Sequence, residues 1–137
     1  MRRWLLTGSL LTCLAIAVVA SGQVRSFVHV FQRAQAGVGP GTAAHVLGYS
    51  TLVLHVGAAG TPSFNVHFQG SLDGLNWSLH HCLALTTPTA NLPMHTALST
   101  GLWRCNVAGL AFFRTHVTAF TGTTSVTVIG SVLSLPG

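Results

Sequence analysis

The chain has 137 residues, with six basic residues against a single acidic one, a formal net charge of +5 and only 5% charged residues. Soluble domains usually carry about 25% charged residues, so this surface is unusually poor in charge. Because Asp73 is the only side-chain carboxylate, paired-carboxylate glycoside hydrolysis and an oxygen-rich calcium or magnesium cage are excluded. Hydrophobic residues make up 49% of the chain, which fits one compact domain with an additional apolar segment.

The first twenty residues form a segment of their own. Arg2 and Arg3 precede an uncharged apolar run from Trp4 to Ala20. This is the layout of a secretory signal peptide that is cleaved after Ala20. The run is also at the short limit for a retained hydrophobic helix, either a membrane anchor or a helix buried between subunits. Residues 1–20 are therefore interpreted as a signal peptide or a retained hydrophobic helix, and membrane contact is expected only if the helix is retained.

Residues 21–42 are predicted to be an N-terminal strand or arm followed by a Gly-rich linker. Gln23 to Gln32 shows the alternation of a strand, although the run could also continue a helix from the leader. Ala34 to Thr42 is rich in Gly and is typical of a flexible connection. We expect the arm to add a strand to the sheet of a neighbouring subunit. Its candidate assembly residues are Val24, Phe27, Val28, Val30 and Phe31.

Residues 43–137 have the period-two alternation and the spacing of an all-β antiparallel β-sandwich, jelly-roll-like or immunoglobulin-like. Two runs alternate most cleanly and predict the core side chains Leu52, Leu54, Val56, Phe64, Val66 and Phe68. The last two strands are expected to be joined as a hairpin by residues 121–124. The predicted strands are Ala43 to Leu47, Thr51 to Val56, Phe64 to Gln69, Asn76 to Leu83, Leu102 to Val107, Phe112 to Phe120 and Ser125 to Leu133.

Three short motifs stand out along this domain. They are Gly48-Tyr49-Ser50-Thr51, Gly70-Ser71-Leu72-Asp73-Gly74-Leu75-Asn76-Trp77, and Val107-Ala108-Gly109-Leu110 before Phe113-Arg114. From Gly37 to Leu133 the chain resembles a small β-sandwich module that recurs among tailed-bacteriophage virion and virion-associated proteins. The resemblance implies a structural, decorating or surface-attaching part without catalytic residues. One position departs from the pattern, because Gln69 stands where an acidic residue is common.

The segment from Asp73 to Trp77 has a structural interpretation of its own. Asp73-Gly74 is typical of a tight turn, in which Gly accepts positive φ and the carboxylate binds backbone amides two residues along. Asn76 can act in the same way, and Trp77 then begins the next strand and is expected to cover the end of the core. In an alternative interpretation, Trp77 or Trp103 is a stacking platform for a sugar, with Asp73 and Asn76 as hydrogen-bond partners.

Eight histidines are the other candidates for chemistry. His80 and Cys82 share one face of a predicted strand, and His67 or His116 from a neighbouring strand would be needed to complete a zinc site. No spacing requires this convergence, so no metal site and no cofactor are predicted. If outward histidines line a subunit contact, assembly is expected to weaken near pH 6 as they gain charge.

Cys82 and Cys105 are the only thiols beyond the leader. A disulfide between them is expected if the domain is exported, whereas two reduced, buried thiols are expected if it assembles in the cytosol. The sequence leaves both states open.

Catalysis and nucleic-acid binding find little support in the sequence. There is no Gly-x-Ser-x-Gly elbow, and the Gly-rich stretch near residue 40 lacks the Lys-Ser/Thr of a phosphate-binding loop. Beyond Arg2 and Arg3 the chain has four scattered arginines and no lysine. Because nucleic-acid affinity depends on clustered cations that neutralise several phosphates, no nucleic-acid partner is predicted.

These observations favour a non-enzymatic structural or assembly protein of a phage-like virion or an extracellular assembly. A charge-poor strand surface is stable when neighbours cover it, so the expected partners are copies of the chain or other virion proteins. The expected location is a virion or the extracellular space. The alternative is a secreted carbohydrate-binding or adhesin β-sandwich module with a glycan as its partner.

Overall fold

The computed structural model describes residues 25–61, 63–86, 92–122 and 125–134. Within these ranges the chain is all-β, with twelve strands and no helix, and therefore with no helix of the length and apolar character needed to cross a bilayer. The predicted leader at residues 1–20 and Val24 lie outside the described residues. The strands are β1 Ser26–Gln35, β2 Gly39–Pro40, β3 Ala44–His45, β4 Thr51–Ala59, β5 Ser63–Ser71, β6 Ser78–Leu79, β7 Cys82–Ala84, β8 Pro93–Met94, β9 Thr96–Ala97, β10 Gly101–Asn106, β11 Phe112–Thr121 and β12 Ser125–Leu133.

The strands form two antiparallel sheets. Sheet A has the order β1-β12-β4-β10-β7-β8. Sheet B has the order β2-β11-β5-β6, with β3 also paired to β11 and β9 also paired to β5. The long strands β4, β5, β11 and β12 carry most of the pairing, so the two sheets are built around sequence-distant partners. This confirms the all-β antiparallel prediction.

The two sheets enclose one apolar core. Alternate residues along each long strand point inward, as strand geometry requires. The predicted inward positions on β4 and β5 are confirmed, since all six are buried. The opposing strands add a second set of buried side chains, with Phe113 and Val117 on β11 and Val126, Val128 and Val132 on β12.

β1 belongs to the sandwich of its own chain. It pairs antiparallel with β12, starting with Ser26 opposite Leu133. The Phe31 side chain is 1% exposed and meets the ring of Phe113 edge to face, with ring centroids 5.7 Å apart. The expectation of an arm separate from the domain is thus corrected, because Phe31 fills the space between the two sheets and removing it would expose apolar surface.

The other candidate arm residues differ in exposure. Phe27 packs edge to face against Tyr49, with centroids 5.2 Å apart. Val30 is half-buried, whereas Val28 is 70% exposed. The side of β1 that carries Phe27 and Phe31 therefore faces the core, and Val28 is left on the surface.

The Gly-rich stretch after β1 is part of sheet B rather than a flexible connection. Pro40 of β2 lies opposite His116 of β11. The amide of Gly41 donates to the carbonyl of Thr115 at 2.8 Å, and a Cβ atom on Gly41 would overlap the carbonyl oxygen of Phe31. Glycine is needed at residue 41 because two backbone segments approach each other closely there.

The predicted strand from Asn76 to Leu83 is two strands in different sheets. β6 pairs with β5 in sheet B, and β7 pairs with β10 in sheet A. The chain crosses between the sheets at His80 and His81. Cys82 lies directly opposite Cys105 and is joined to it by a disulfide, which fixes β7 to sheet A.

The expected hairpin between the last two strands is also wrong. β11 pairs with β2, β3 and β5 in sheet B, whereas β12 pairs with β1 and β4 in sheet A. The connection after Thr121 therefore passes from one sheet to the other. The apolar faces of both strands point into the same core, and a crossover allows each strand to complete a different sheet.

The packing of β1 predicts a difference between two of its residues. Phe31→Ala should lower the free energy of unfolding by about 3–5 kcal/mol, because it leaves a cavity between the sheets. The matched change Val28→Ala, on the exposed side of the same strand, should alter it by less than about 0.5 kcal/mol. Urea unfolding of both variants measures the difference. A Phe31→Ala protein as stable as the wild type would show that β1 is not part of the core.

Candidate functional site

The loop that follows β5 is a tight turn built around Asp73. Gly74 has a φ of +75°, a conformation that favours glycine. Asp73 Oδ1 accepts hydrogen bonds from the amides of Leu75 and Asn76, both at 2.8 Å, and from the Ser71 hydroxyl at 3.0 Å. Asp73 Oδ2 accepts from the side-chain amide of Asn76 at 2.6 Å. Both carboxylate oxygens are thus engaged in holding the turn.

These hydrogen bonds hold the pKa of Asp73 well below its usual range. The largest cause is the backbone amide of Asn76, followed by the Asn76 side chain. A depressed pKa means that the turn gains stability above the ordinary pKa of aspartate and loses it only in strong acid. Since the acceptors of Asp73 are already used, the geometry favours a turn-forming role over sugar binding at this loop.

Directly beside this turn, Arg114 stacks on Trp77. The guanidinium carbon of Arg114 lies 4.1 Å from the centroid of the Trp77 ring. Arg114 Nε donates a hydrogen bond to Gln69 Oε1 at 2.8 Å, and the two residues face each other across β11 and β5. Arg114 and Trp77 are both half-buried, and burial lowers the pKa of Arg114. A cation–π contact and one hydrogen bond therefore fix the direction of a partly dehydrated cation.

Four histidines lie close together at one edge of the sandwich. His67 of β5 lies opposite His116 of β11, in the row next to Arg114. The ring centroid of His95 lies 6.0 Å from that of His67 and 5.5 Å from that of His81, both edge to face. His81 and His95 are positioned where the chain crosses between the sheets. The four rings form a polar, aromatic cluster at that edge of the sandwich.

The pKa of His67 is lowered by its surroundings. Burial is the largest cause, followed by repulsion from His95 and then from His116. No carboxylate contributes to this site, since the oxygens of Asp73 are engaged in the turn. The cluster is thus favourable while its members are neutral and unfavourable when several carry a proton.

The described part of the chain was predicted to contain no metal site, and the potential metal ligands there do not converge on one point. There, no group of three or more His, Cys, Asp or Glu side chains is arranged to hold a metal ion. His80 and Cys82, which share a face in the strand predicted from the sequence, do not act together as ligands, because Cys82 forms the disulfide with Cys105. His80 Nε2 instead lies 2.6 Å from the carbonyl oxygen of Asn106, and its ring meets Phe113 edge to face.

In the part of the chain that the structure describes, two shallow hollows lie close to these groups. One, of about 400 Å³, lies beside the Asp73 turn and is bordered by Leu110. The other, of about 250 Å³, lies next to the disulfide and is lined in part by His81 and Arg104. Trp103, the other aromatic platform considered from the sequence, is buried against Phe68 and cannot stack on a sugar at the surface.

Sequence reasoning found the turn residues but missed two groupings. The contact of Arg114 with Trp77 and Gln69 depends on the register of β11 against β5. The approach of His95 to His67 depends on the pairing of the short strand β9 with β5. Alternation predicts that Gln69 and Arg114 lie on outer faces of their strands. Their pairing across β5 and β11 could have been predicted only with the register of the two strands.

Comparisons with known proteins identify structural relatives only. No protein-family profile and no curated protein matches the sequence. The fold is similar to that of the SPBc2 prophage-derived protein YomS, with a TM-score of 0.73 and 21% identity over 82% of this chain and 96% of that one. It is also similar to the PBSX exported protein XepA, with a TM-score of 0.73 and 18% identity over 81% of this chain. The chain spans 38% of the length of XepA.

The histidine cluster predicts that stability depends on pH. Because the folded-state pKa of His67 is lowered, the unfolded chain binds protons more readily, and stability should fall as pH drops below about 6.5. We expect the melting temperature to decrease between pH 7.5 and pH 5.5. Asp73 does not contribute to this change, because its carboxylate stays ionised throughout the range.

His67→Gln should reduce this decrease, since it removes the proton-binding group and the repulsion. His55→Gln, an exposed position on the outer face of β4, is the matched control and should keep the wild-type pH dependence. Thermal unfolding at closely spaced pH values measures both. An identical pH profile for His67→Gln and the wild type would rule out the cluster as the cause.

Proposed function

We propose that the chain is a non-enzymatic structural or assembly protein of a phage-like particle or an extracellular assembly. The observation that carries the proposal is the shared fold with YomS, which is described as prophage-derived and is matched over nearly its whole length. The second structural relative, XepA, is described as an exported protein. The resemblance of the Gly70 to Trp77 motif to virion-associated modules is in accord with the same role.

Apolar side chains at one end of the sandwich support a role in contacts. Leu72 and Leu75, on either side of Asp73, are 74% and 84% exposed. Exposed leucines on a charge-poor surface are stabilised when another protein covers them.

The outer edge of β1 offers a second contact. Ser26–Gln35 is a long strand at the end of sheet A, and the segment around Thr42 covers only its middle, at Val30 and Phe31. Val28 is exposed on this strand. An edge strand can extend its sheet by pairing with another chain, which gives several backbone hydrogen bonds at once. In this proposal β1 stays docked and pairs through its free edge.

The proposed location is a virion or the extracellular space. The disulfide between Cys82 and Cys105 supports export, because such bonds persist in oxidising compartments. Two points stay predictions. One is that residues 1–20 are a signal peptide or a retained hydrophobic helix, and the other is that the sandwich is jelly-roll-like or immunoglobulin-like. Partners are proposed to be other copies of the chain or other virion proteins.

Assembly is tested by sedimentation velocity of the native protein over a range of concentrations. We expect species larger than the 14.3 kDa chain. Val28→Lys should weaken self-association about tenfold or more, because a charge on an edge strand opposes pairing. His55→Lys, on a central strand of the same sheet, controls for added charge. A protein that stays monomeric at all concentrations would contradict the function, and a Val28→Lys protein that assembles normally would contradict the edge contact.

A further inference from the structure

Among the described residues, Arg114 is a positioned cation without a negatively charged partner. The guanidinium is half-buried between the Trp77 ring and the side chain of Gln69. In the described part of the chain its one hydrogen bond is the one from Nε to Gln69, and the two terminal nitrogens make none. Partial loss of water from a cation is unfavourable unless another group compensates for it. The neutral Gln69 and the Trp77 ring compensate only in part.

The terminal nitrogens of Arg114 are held in place before any ligand arrives. The contact with the Trp77 ring and the Nε hydrogen bond to Gln69 together restrict the position of the guanidinium. The remaining donors form a planar fork that matches two oxygens of an oxyanion. Because the side chain is already ordered, binding costs less conformational entropy than it would for a free arginine.

The next row of the sheet supplies further donors. His116 follows Arg114 by two residues on β11 and lies opposite His67 on β5. Alternate residues of a strand share a face about 7 Å apart, so side chains from the two rows can reach one small ligand. His95 adds a third ring beside His67. In the described residues none of these three rings makes a hydrogen bond to a protein group, so their nitrogens are available.

Histidines are the titratable side chains around Arg114 on the outer face of sheet B. His116 on β11 lies opposite His67 and His95 before β9 lies beside it, while His81 before β7 contacts His95 and His45 on β3 contacts Phe112. β2 and β6 contribute none, since they consist of Gly39–Pro40 and Ser78–Leu79. Asp73, the only carboxylate side chain, stays ionised in the neighbouring turn, but both of its oxygens point to that turn and burial is the one cause that shifts the pKa of Arg114. The local electrostatic potential therefore favours an anion.

We propose that Arg114, oriented by Trp77 and Gln69, is an oxyanion-binding site that takes a phosphate group, with His116 and His67 as additional donors. The fork of Arg114 uses the two anionic oxygens of a phosphodiester and leaves its two ester oxygens, which are weaker acceptors, for the histidine row. A carboxylate has only two oxygens, and the fork uses both. The site therefore favours phosphate over carboxylate. The inference stands on the surroundings of Arg114 and does not depend on the assembly function.

The direct test is nuclear magnetic resonance of the full chain with dimethyl phosphate, a phosphodiester that carries a single negative charge. We expect saturable shifts of the Trp77 indole and Arg114 Nε resonances at pH 7.5, with a dissociation constant on the order of 1–10 mM. Sodium acetate at pH 7.5 and equal ionic strength should bind more weakly.

Two variants test the assignment. Gln69→Glu keeps the shape of the site but places a carboxylate against Arg114, and Arg114→Gln removes the cation; each should abolish the saturable shifts. Arg104→Gln, an exposed arginine on sheet A, is the control and should bind as the wild type does. Unfolding curves for all variants establish that the fold is retained. Shifts that persist in Gln69→Glu, or no saturable shift in the wild type, would overturn the proposal.

A further experiment distinguishes the sources of the phosphate group. Co-sedimentation with phosphatidylglycerol vesicles, compared with phosphatidylcholine vesicles, tests a lipid headgroup. Binding to phosphatidylglycerol that Gln69→Glu abolishes would assign the site to membrane phosphates, whereas binding of dimethyl phosphate without vesicle binding would assign it to soluble or polymeric phosphodiesters. If Gln69→Glu leaves vesicle binding unchanged, the result contradicts the site, whether or not the variant alters binding of dimethyl phosphate.

Discussion

Asp73 is the only side-chain carboxylate of the chain, so the sandwich is held together without a network of ion pairs. Both of its oxygens accept hydrogen bonds within one turn, and none of the described arginines forms an ion pair with it. Stability therefore depends on apolar packing between the sheets, on backbone pairing and on the disulfide between Cys82 and Cys105. The same shortage leaves the cations of the surface available to partners.

The core and the surface site are linked through β5 and β11. Inward residues of these strands, among them Phe68 and Phe113, fix the register in which the sheets pack. Because side chains alternate, the same register places Gln69 opposite Arg114 on the outer face, and His67 opposite His116. A slip of one residue would bury the polar row and expose the phenylalanines. The position of the oxyanion site is thus a consequence of core packing.

Alternation in the sequence was enough to predict the long strands and their inward faces, because a period of two is a local property. The tight turn at Asp73-Gly74 was predictable for the same reason. The docking of β1, the crossover at His80 and the crossover after Thr121 were not, since each depends on which sheet a strand joins. That choice is made by contacts between sequence-distant residues, such as Phe31 with Phe113 and Cys82 with Cys105. The contact of Arg114 with Trp77 was missed because it too needs the register.

The most direct test of a sandwich without stabilising ion pairs is the salt dependence of its stability. The free energy of unfolding is measured in urea, a neutral denaturant, at pH 7.5 as sodium chloride is raised from about 20 mM to about 500 mM. Salt screens repulsion among the remaining cations, so the free energy of unfolding should stay level or rise. A decrease of more than about 1 kcal/mol would show that attractive charge pairs hold the fold, and it would contradict this account.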